Sequence, residues 1–228
     1  MNSNVLRGAL CAVTALVGVH LSSTAAAVKY MSLEQAVKTF TPKGSKIVKV
    51  TKTPSAAQRQ RLLEDYGWKA EEPSYVFYVG RSSGGEDLAY VFVVPEVFGT
   101  CFHKYAIGMD AAGVVQETVI VELSCPRSFP INKKGFLKQF RKKTHQDPLT
   151  VKADVDSVTG ATYSAEATAT ATRKAVSLHN LFFGGGAPVA VSEDVRKARA
   201  AVQAQIQKAI ESGELLTDEE KAAKAGGK

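Results

Sequence analysis

The sequence predicts an α+β fold, in which a small, twisted, antiparallel or mixed sheet is flanked by helices and followed by a C-terminal helical tail. The order of the patterns is the first reason, because a helical pattern precedes a run of strand patterns and further helical patterns come last. The spacing of turn residues is the second reason. Glycine-containing turns at 84–85 and 110–113 separate neighbouring strand patterns by short distances, as in hairpins.

The helices are predicted from apolar side chains that recur on one helical face. In the first helix, 32–40, Ser32 is placed to cap the N-terminus. The other predicted helices are 55–68, the basic stretch 133–143, 164–182 and 192–212. The predicted strands are 45–52, 75–79, 88–94, 105–109 and 114–123. Residues 165–172 alternate with the period of a strand, but their alanine content favours a helix.

Composition limits the class of protein. The chain has 228 residues, 45% of them hydrophobic and 22% charged, and a formal net charge of +7. These are the proportions of a globular protein, so wholesale disorder, a collagen-like fibre and a multi-span membrane protein are excluded. The length fits one domain with a tail, or at most two small domains.

Residues 1–27 have the pattern of a secretory signal. Arg7 is the single charge, an apolar stretch runs from Gly8 to Leu21, and small residues lead to Ala27. We expect cleavage after Ala27 and export to the periplasm or another extracytoplasmic space. The alternative is a retained membrane anchor, but the apolar stretch is shorter than the roughly 20 residues that span hydrocarbon. No transmembrane segment is therefore expected in the mature chain.

Export changes the interpretation of the cysteines. Cleavage leaves Cys101 and Cys125, which flank two strand patterns joined by the turn at 110–113. Folding this hairpin brings the two cysteines to its open end, and in an oxidising compartment we expect them to form a disulfide. The alternative is a pair of unpaired, buried thiols.

The stretch 154–164, which reads DVDSVTGATYS, combines two carboxylates with a hydroxyl-rich turn before a helix. Gly160 permits a tight backbone turn, and Thr162 stands just before the predicted helix. Free N–H groups at a helix start favour a phosphate or another anion. From the residues alone, the Thr162 hydroxyl caps the helix, binds a phosphate or carries one covalently. A helix cap is the commonest of these roles.

The run from Asp156 to Ser164 resembles the flavinylation motif of the FMN-binding domain family, which reads Asp-x-x-(Ser/Thr)-Gly-Ala-(Thr/Ser). The family includes the covalently flavinylated subunits of the sodium-translocating NADH:quinone reductase and of the Rnf complex. The resemblance implies that an exported flavin transferase splits the pyrophosphate of FAD, joins the FMN part through a phosphoester to Thr162 and releases AMP. The residues implied to surround this attachment point are Asp156, Thr159, Gly160, Ala161 and Ser164.

The surrounding sequence resembles the family as well. A hairpin contains Tyr105, Asp110 and Gly113, a Phe-Leu-x-x-Phe segment occupies 136–140, and an alanine-rich stretch follows the motif at 165–181. Their order along the chain matches the family pattern.

The resemblance is strongest over residues 73–182 and divides the chain into three parts. These are a signal peptide (1–27), an FMN-binding domain (28–184), and a region with a linker, an amphipathic helix and a polar tail (185–228). The large complexes carry a Glu-Thr-Pro-Gly-like loop where this chain reads Glu-Leu-Ser-Cys-Pro-Arg at 122–127. This departure, together with the expected absence of a membrane helix, indicates a stand-alone member of the family.

The function implied by the resemblance is electron transfer by a covalently bound flavin. We expect a relay between a membrane donor and an extracytoplasmic acceptor, because no nucleophile–base pair or substrate pocket is apparent in the sequence. Two alternatives remain open: a flavin-dependent reductase subunit acting on a small acceptor, and a non-redox binding module without FMN. Whether the chain is an enzyme is left undecided, with a non-catalytic carrier preferred.

Two further features are assigned simpler roles. Cys101 and His103 are too few ligands for a metal site, so none is predicted. The basic stretch 133–143 is expected to be a solvated helix or a surface for an acidic redox partner, and no nucleic-acid motif is present.

Overall fold

The structure is a computed structural model that describes residues 27–98, 101–215 and 221. The predicted signal sequence and its cleavage site therefore lie almost entirely outside the described residues. The polar end of the predicted tail lies outside them too, apart from Lys221. Among the described residues, no helix is both long and apolar enough to cross a membrane.

The centre of the fold is a six-stranded sheet in which every neighbouring pair of strands is antiparallel. The strand order is β1-β6-β5-β4-β3-β2. The strands are β1 (Val28–Lys29), β2 (Lys46–Lys52), β3 (Tyr75–Arg81), β4 (Asp87–Phe98), β5 (Cys101–Asp110) and β6 (Val115–Leu123). This confirms the predicted α+β class and shows that the sheet is antiparallel rather than mixed.

Five α-helices accompany the sheet in the continuous described ranges, 27–98 and 101–215. They are α1 (Leu33–Phe40), α2 (Ala56–Tyr66), α3 (Lys134–Leu137), α4 (Thr162–Phe182) and α5 (Glu193–Glu211). Two 3₁₀ segments, Pro126–Ile131 and Lys138–Phe140, flank α3. The prediction of one continuous basic helix over 133–143 is therefore wrong, because this stretch forms only α3 and the second 3₁₀ segment.

One face of the sheet packs against α4 and contains the larger part of the core. Alternate strand residues such as Phe77, Phe92 and Ile107 point to this side and are almost fully buried. They meet small side chains of α4, including Ala165 and Ala169, which let the helix lie close to the sheet. Most sides of α4 are buried, so its sequence lacks the polar stripe of a surface helix. This explains why residues 165–172 show no helical period although they are helical.

The opposite face is covered by α1. Val37 packs there with Val91 and Ala106, whose strand neighbours face the larger core. Gly108 is required at this contact, because a Cβ on it would lie 2.4 Å from Cγ of Phe40. The helix begins as predicted, with Ser32 forming a capping box at its N-terminus.

A disulfide joins Cys101 to Cys125, whose Cα atoms are 5.0 Å apart. It links the first residue of β5 to the segment that follows β6. The predicted pairing is confirmed, and the alternative of two free thiols is wrong.

Candidate functional site

Thr162 is the first residue of α4, and its hydroxyl does not cap the helix. The N-cap position is occupied by Ala161, and the side chains there form no capping hydrogen bond. The Thr162 side chain is half-buried and forms no hydrogen bond with any residue that the structure describes. The helix thus starts two residues earlier than predicted, and the simplest interpretation of Thr162, a helix cap, is not what the geometry shows.

The backbone before Thr162 turns tightly because of Gly160. This glycine has φ of +77°, a left-handed conformation that L-residues with a side chain rarely adopt. No heavy atom lies within 4 Å of the position that its Cβ would take, so the space beside it is open. The turn is closed by the N–H of Ala161, which donates to the carbonyl of Val158 over 2.8 Å.

A cleft of about 330 Å³ opens at this end of α4. Such a volume is within the range of small-molecule sites. Its lining combines aromatic and apolar side chains with hydroxyls, an amide, one ammonium group and one carboxylate, that of Glu214. The lining residues are Phe98, Cys125, Lys152, Ser157, Gly160, Ala161, Thr162, Tyr163, Ser164, Gln205, Glu214 and Leu215.

The structure brings four of the six motif residues to the cleft and leaves two outside it. Gly160, Ala161, Thr162 and Ser164 are among the lining residues. The other two, Asp156 and Thr159, are exposed and do not line the cleft.

Asp156 lies in the loop before Thr162, on the side that contacts the basic stretch 133–143. Its N–H donates to Oε1 of Gln139 over 2.8 Å, and Nε2 of Gln139 donates to its carbonyl over 3.4 Å. The loop that leads to Thr162 is therefore tied to the 3₁₀ segment Lys138–Phe140.

Behind Ser164, a chain of buried polar groups leads away from the cleft. Ser164 Oγ lies 2.8 Å from Ser128 Oγ, which lies 2.6 Å from Nε2 of His103. Nδ1 of His103 lies 2.7 Å from the hydroxyl of Tyr105, and Thr168 Oγ1 lies 3.1 Å from that hydroxyl. All five residues are buried. Each side chain in this row of five thus has a hydrogen-bond partner, which is the condition for burying a polar group at little cost.

Burial keeps His103 uncharged. It lowers the pKa of His103 to about 4, because the charged imidazolium loses its hydration inside the protein. A neutral imidazole donates from one ring nitrogen and accepts at the other, and the two hydroxyl partners suit this arrangement. The sequence suggested His103 only as a metal ligand and did not indicate Ser128, since no local pattern marks a strand residue and a residue 25 positions away that meet in the fold.

The segment 148–155, which precedes the motif loop, is held by a buried ion pair on α4. Arg173 and Glu166 are each 1% exposed, with a nitrogen and an oxygen 3.6 Å apart. Glu166 accepts a hydrogen bond of 2.9 Å from the N–H of Val151, and Arg173 donates to the carbonyl of Leu149. Burial raises the pKa of Glu166 and lowers that of Arg173, and their mutual attraction opposes both shifts.

Helix α5 also packs on this segment. Nε of Arg199 donates to Thr150 Oγ1 over 3.2 Å, and its NH2 group donates to the carbonyl of Pro148 over 2.9 Å. Val202 and Ala209 are buried on the same helix. Gln205 of α5 lines the cleft, as do Glu214 and Leu215, which follow the end of that helix. The C-terminal helix therefore forms part of the site.

Lys152 supplies the ammonium group of the cleft lining. Its backbone has φ of +70°, and its side chain is exposed and forms no ion pair within the described part of the chain. A non-glycine residue in this conformation costs roughly 1–2 kcal/mol, which the buried contacts of the flanking residues offset. The sequence contained no signal that distinguished Lys152 from the other lysines.

No protein-family model and no curated protein matches this chain. Within the described ranges, no group of three or more His, Cys, Asp or Glu side chains is placed to hold a metal ion.

Proposed function

We propose that this protein is an exported electron carrier that holds FMN through a phosphoester bond to Thr162. The observation that carries the proposal is the Thr162 hydroxyl, which has no hydrogen-bond partner among the described residues and lines a cleft at a helix N-terminus. A hydroxyl that capped the helix would already be engaged. The Thr162 hydroxyl is therefore available to form a phosphoester bond.

The residues around the cleft fit such a group. The N–H groups of the first turn of α4 and the ammonium of Lys152 offer positive charge to a phosphodiester. Phe98, Tyr163 and Leu215 offer apolar surface to a planar aromatic ring system. Ser157 and Ser164 add hydroxyls that can hydrogen-bond to polar edges.

The chain's own residues would position the group, and the isoalloxazine ring would supply the transfer of one or two electrons. Gly160 leaves the space beside the turn before Thr162 open, because no heavy atom lies within 4 Å of where its Cβ would be. The buried contacts of Arg173 and Arg199 hold the segment that carries Lys152. A covalent tether also prevents loss of the group by dilution outside the cell.

The test is to co-express the exported protein with a flavin transferase and measure the intact mass of the purified chain. We expect the wild type and Thr162→Ser to gain the mass of FMN minus water and to fluoresce on a denaturing gel. Thr162→Ala should remain unmodified. Thr39→Ala, which removes an exposed hydroxyl from α1, is the matched control and should be modified normally.

Two results would reject or change the proposal. An unmodified wild-type chain, when the same transferase modifies a known acceptor protein, would reject covalent flavin and favour a non-redox binding module. Catalytic turnover of a small soluble acceptor by the purified flavinylated chain alone would favour a reductase over a carrier.

A further inference from the structure

An exposed group of lysines lies on the segment that is tied to the motif loop. We call Lys133, Lys134, Lys138 and Lys142 the basic patch. All four side chains are exposed, and none forms an ion pair with a described residue. The patch therefore presents uncompensated positive charge to the solvent.

The neighbouring acidic groups do not neutralise the patch, because most are engaged by other cations. Arg141 binds Glu117 over 2.7 Å. Lys143 binds Asp147 and Asp154 over 3.3 and 2.7 Å. These pairs engage three nearby carboxylates. The exposed carboxylate of Asp156 adds a single negative charge beside the patch, so the four lysines remain in excess.

The patch has a fixed position relative to the candidate site. The two hydrogen bonds between Gln139 and Asp156 join its segment to the loop that leads to Thr162. The N–H of Lys142 donates to the carbonyl of Val115, and the N–H of Val115 donates to the carbonyl of Lys143, each over 2.8 Å. The basic patch is thus held to both the sheet and the motif loop.

The surroundings of the patch favour a protein partner over a membrane. Stable attachment to a membrane surface generally needs an apolar anchor in addition to basic charge. In the described part of the chain, the exposed large apolar side chains all lie in other segments. They are Val28, Tyr30, Leu33, Ile47, Leu63, Leu88, Val97 and Ile210.

We propose that the basic patch is the docking surface for an acidic redox partner protein. By binding there, the partner is held near the cleft beside Thr162. This inference rests on the proposed function, since it names the kind of partner that exchanges electrons with the bound group. Complementary charge raises the rate of encounter and orients the partner, and both effects weaken as salt screens the charges.

The test compares the wild type with two charge-reversed variants. The patch variant is Lys133→Glu/Lys134→Glu/Lys138→Glu. The control variant, Lys43→Glu/Lys46→Glu/Lys49→Glu, makes the same change in net charge near and along β2. Because β2 is the edge strand farthest from β6, the control lies at the opposite edge of the sheet.

The first readout is the rate at which the reduced, flavinylated protein is oxidised by ferricyanide, a trivalent anion, at increasing salt. We expect the rate to fall roughly tenfold with salt in the wild type and the control variant, and to be low and nearly independent of salt in the patch variant. Hexaamminecobalt(III), a trivalent cation, should show the opposite order. Equal salt dependence in all three proteins would overturn the inference.

The second readout is equilibrium binding, which does not require the flavin. Fluorescent poly-glutamate should bind the wild type and the control variant at least tenfold more tightly than the patch variant. Equal binding to both variants would overturn the inference. Patch-dependent binding to vesicles of phosphatidylcholine and phosphatidylglycerol, without patch-dependent oxidation, would overturn it in favour of a membrane. A chain without flavin would reject the proposed function, and the poly-glutamate comparison would still decide whether the patch binds acidic chains.

Discussion

Ser128 Oγ lies 2.6 Å from Nε2 of His103 and connects that buried imidazole to Ser164 at the cleft. This contact joins β5 to the 3₁₀ segment Pro126–Ile131, and through Ser164 it reaches the first turn of α4. A single hydroxyl therefore links the sheet, the segment after it and the helix that carries Thr162.

Ser128→Ala should destabilise the protein, because it leaves buried polar atoms of His103 and Ser164 without their partner. The expected loss is roughly 1–3 kcal/mol in the free energy of unfolding. Urea denaturation at neutral pH measures it. Ser83→Ala, at an exposed turn position, should change the free energy by less than about 0.5 kcal/mol. Similar losses of unfolding free energy in the two variants would contradict the structural role of the Ser164–Ser128–His103 hydrogen bonds.

The stability of the protein should fall as the pH is lowered from about 6.5 to about 4. Burial lowers the pKa of both His103 and His179 to about 4. The unfolded chain therefore binds protons on these residues over this range while the folded chain does not. The stability they contribute is present above pH 6.5, where both states are uncharged, and is lost progressively toward pH 4.

His103→Gln should flatten this pH dependence. The lowered pKa of His103 corresponds to about 3 kcal/mol of unfolding free energy, which the wild type loses between pH 6.5 and 4. The variant lacks this loss, so the gap in unfolding free energy between the two proteins should shrink by the same amount. Urea denaturation at a series of pH values measures it. His145→Gln is the comparison: burial also lowers the pKa of this half-buried ring, but less than that of His103, so this variant should flatten the curve less. Parallel curves for wild type and His103→Gln would show that His103 has the same pKa in the folded and unfolded states, contrary to the prediction.

Gly160→Ala and Gly135→Ala should change stability in opposite directions. Both glycines have open space where a Cβ would go, but only Gly160 has a positive φ. Alanine at 160 is expected to cost roughly 1–2 kcal/mol in backbone strain. Alanine at 135, inside α3, is expected to stabilise by roughly 0.5–1 kcal/mol. Thermal unfolding of the two variants distinguishes these effects, and an unchanged or raised stability of Gly160→Ala would argue against the strain.

Arg199→Met should loosen α5 from the domain. The guanidinium donates to Thr150 and Pro148, and burial lowers its pKa to about 10. Loss of these charge-assisted bonds is expected to cost roughly 1.5–3 kcal/mol. Hydrogen exchange measured by mass spectrometry should show faster exchange across Glu193–Glu211. Arg196→Met, at an exposed position on the same helix, should leave exchange there unchanged.

The sequence was sufficient to predict the elements that depend on local pattern. The strands are apolar and β-branched runs bounded by turn residues, and Ser32 forms the capping box at the start of α1. The pairing of Cys101 with Cys125 followed from folding one hairpin about its turn. These features are determined by neighbouring residues, so a single sequence contains enough information for them.

The remainder depends on contacts between distant parts of the chain. Glu166 and Arg173 looked like ordinary polar residues of a helix, and only tertiary packing makes them a buried pair that holds 148–155. The contribution of α5 to the cleft was also not predictable, since an apolar stripe does not say which surface it covers. The basic stretch does not continue as one helix, because α3 passes into a 3₁₀ segment at Lys138 and the backbone turns to a positive φ at Lys142.

The disulfide closes β5, the turn and β6 into a covalent ring. A protease that cuts once in the exposed turn at Ala111–Ala112 would divide the chain into two pieces without separating them. The pieces would remain one particle on a non-reducing gel and become two only after a thiol is added. The hairpin beside the cleft is thus protected against the loss of a fragment at the point where it is most accessible to cleavage.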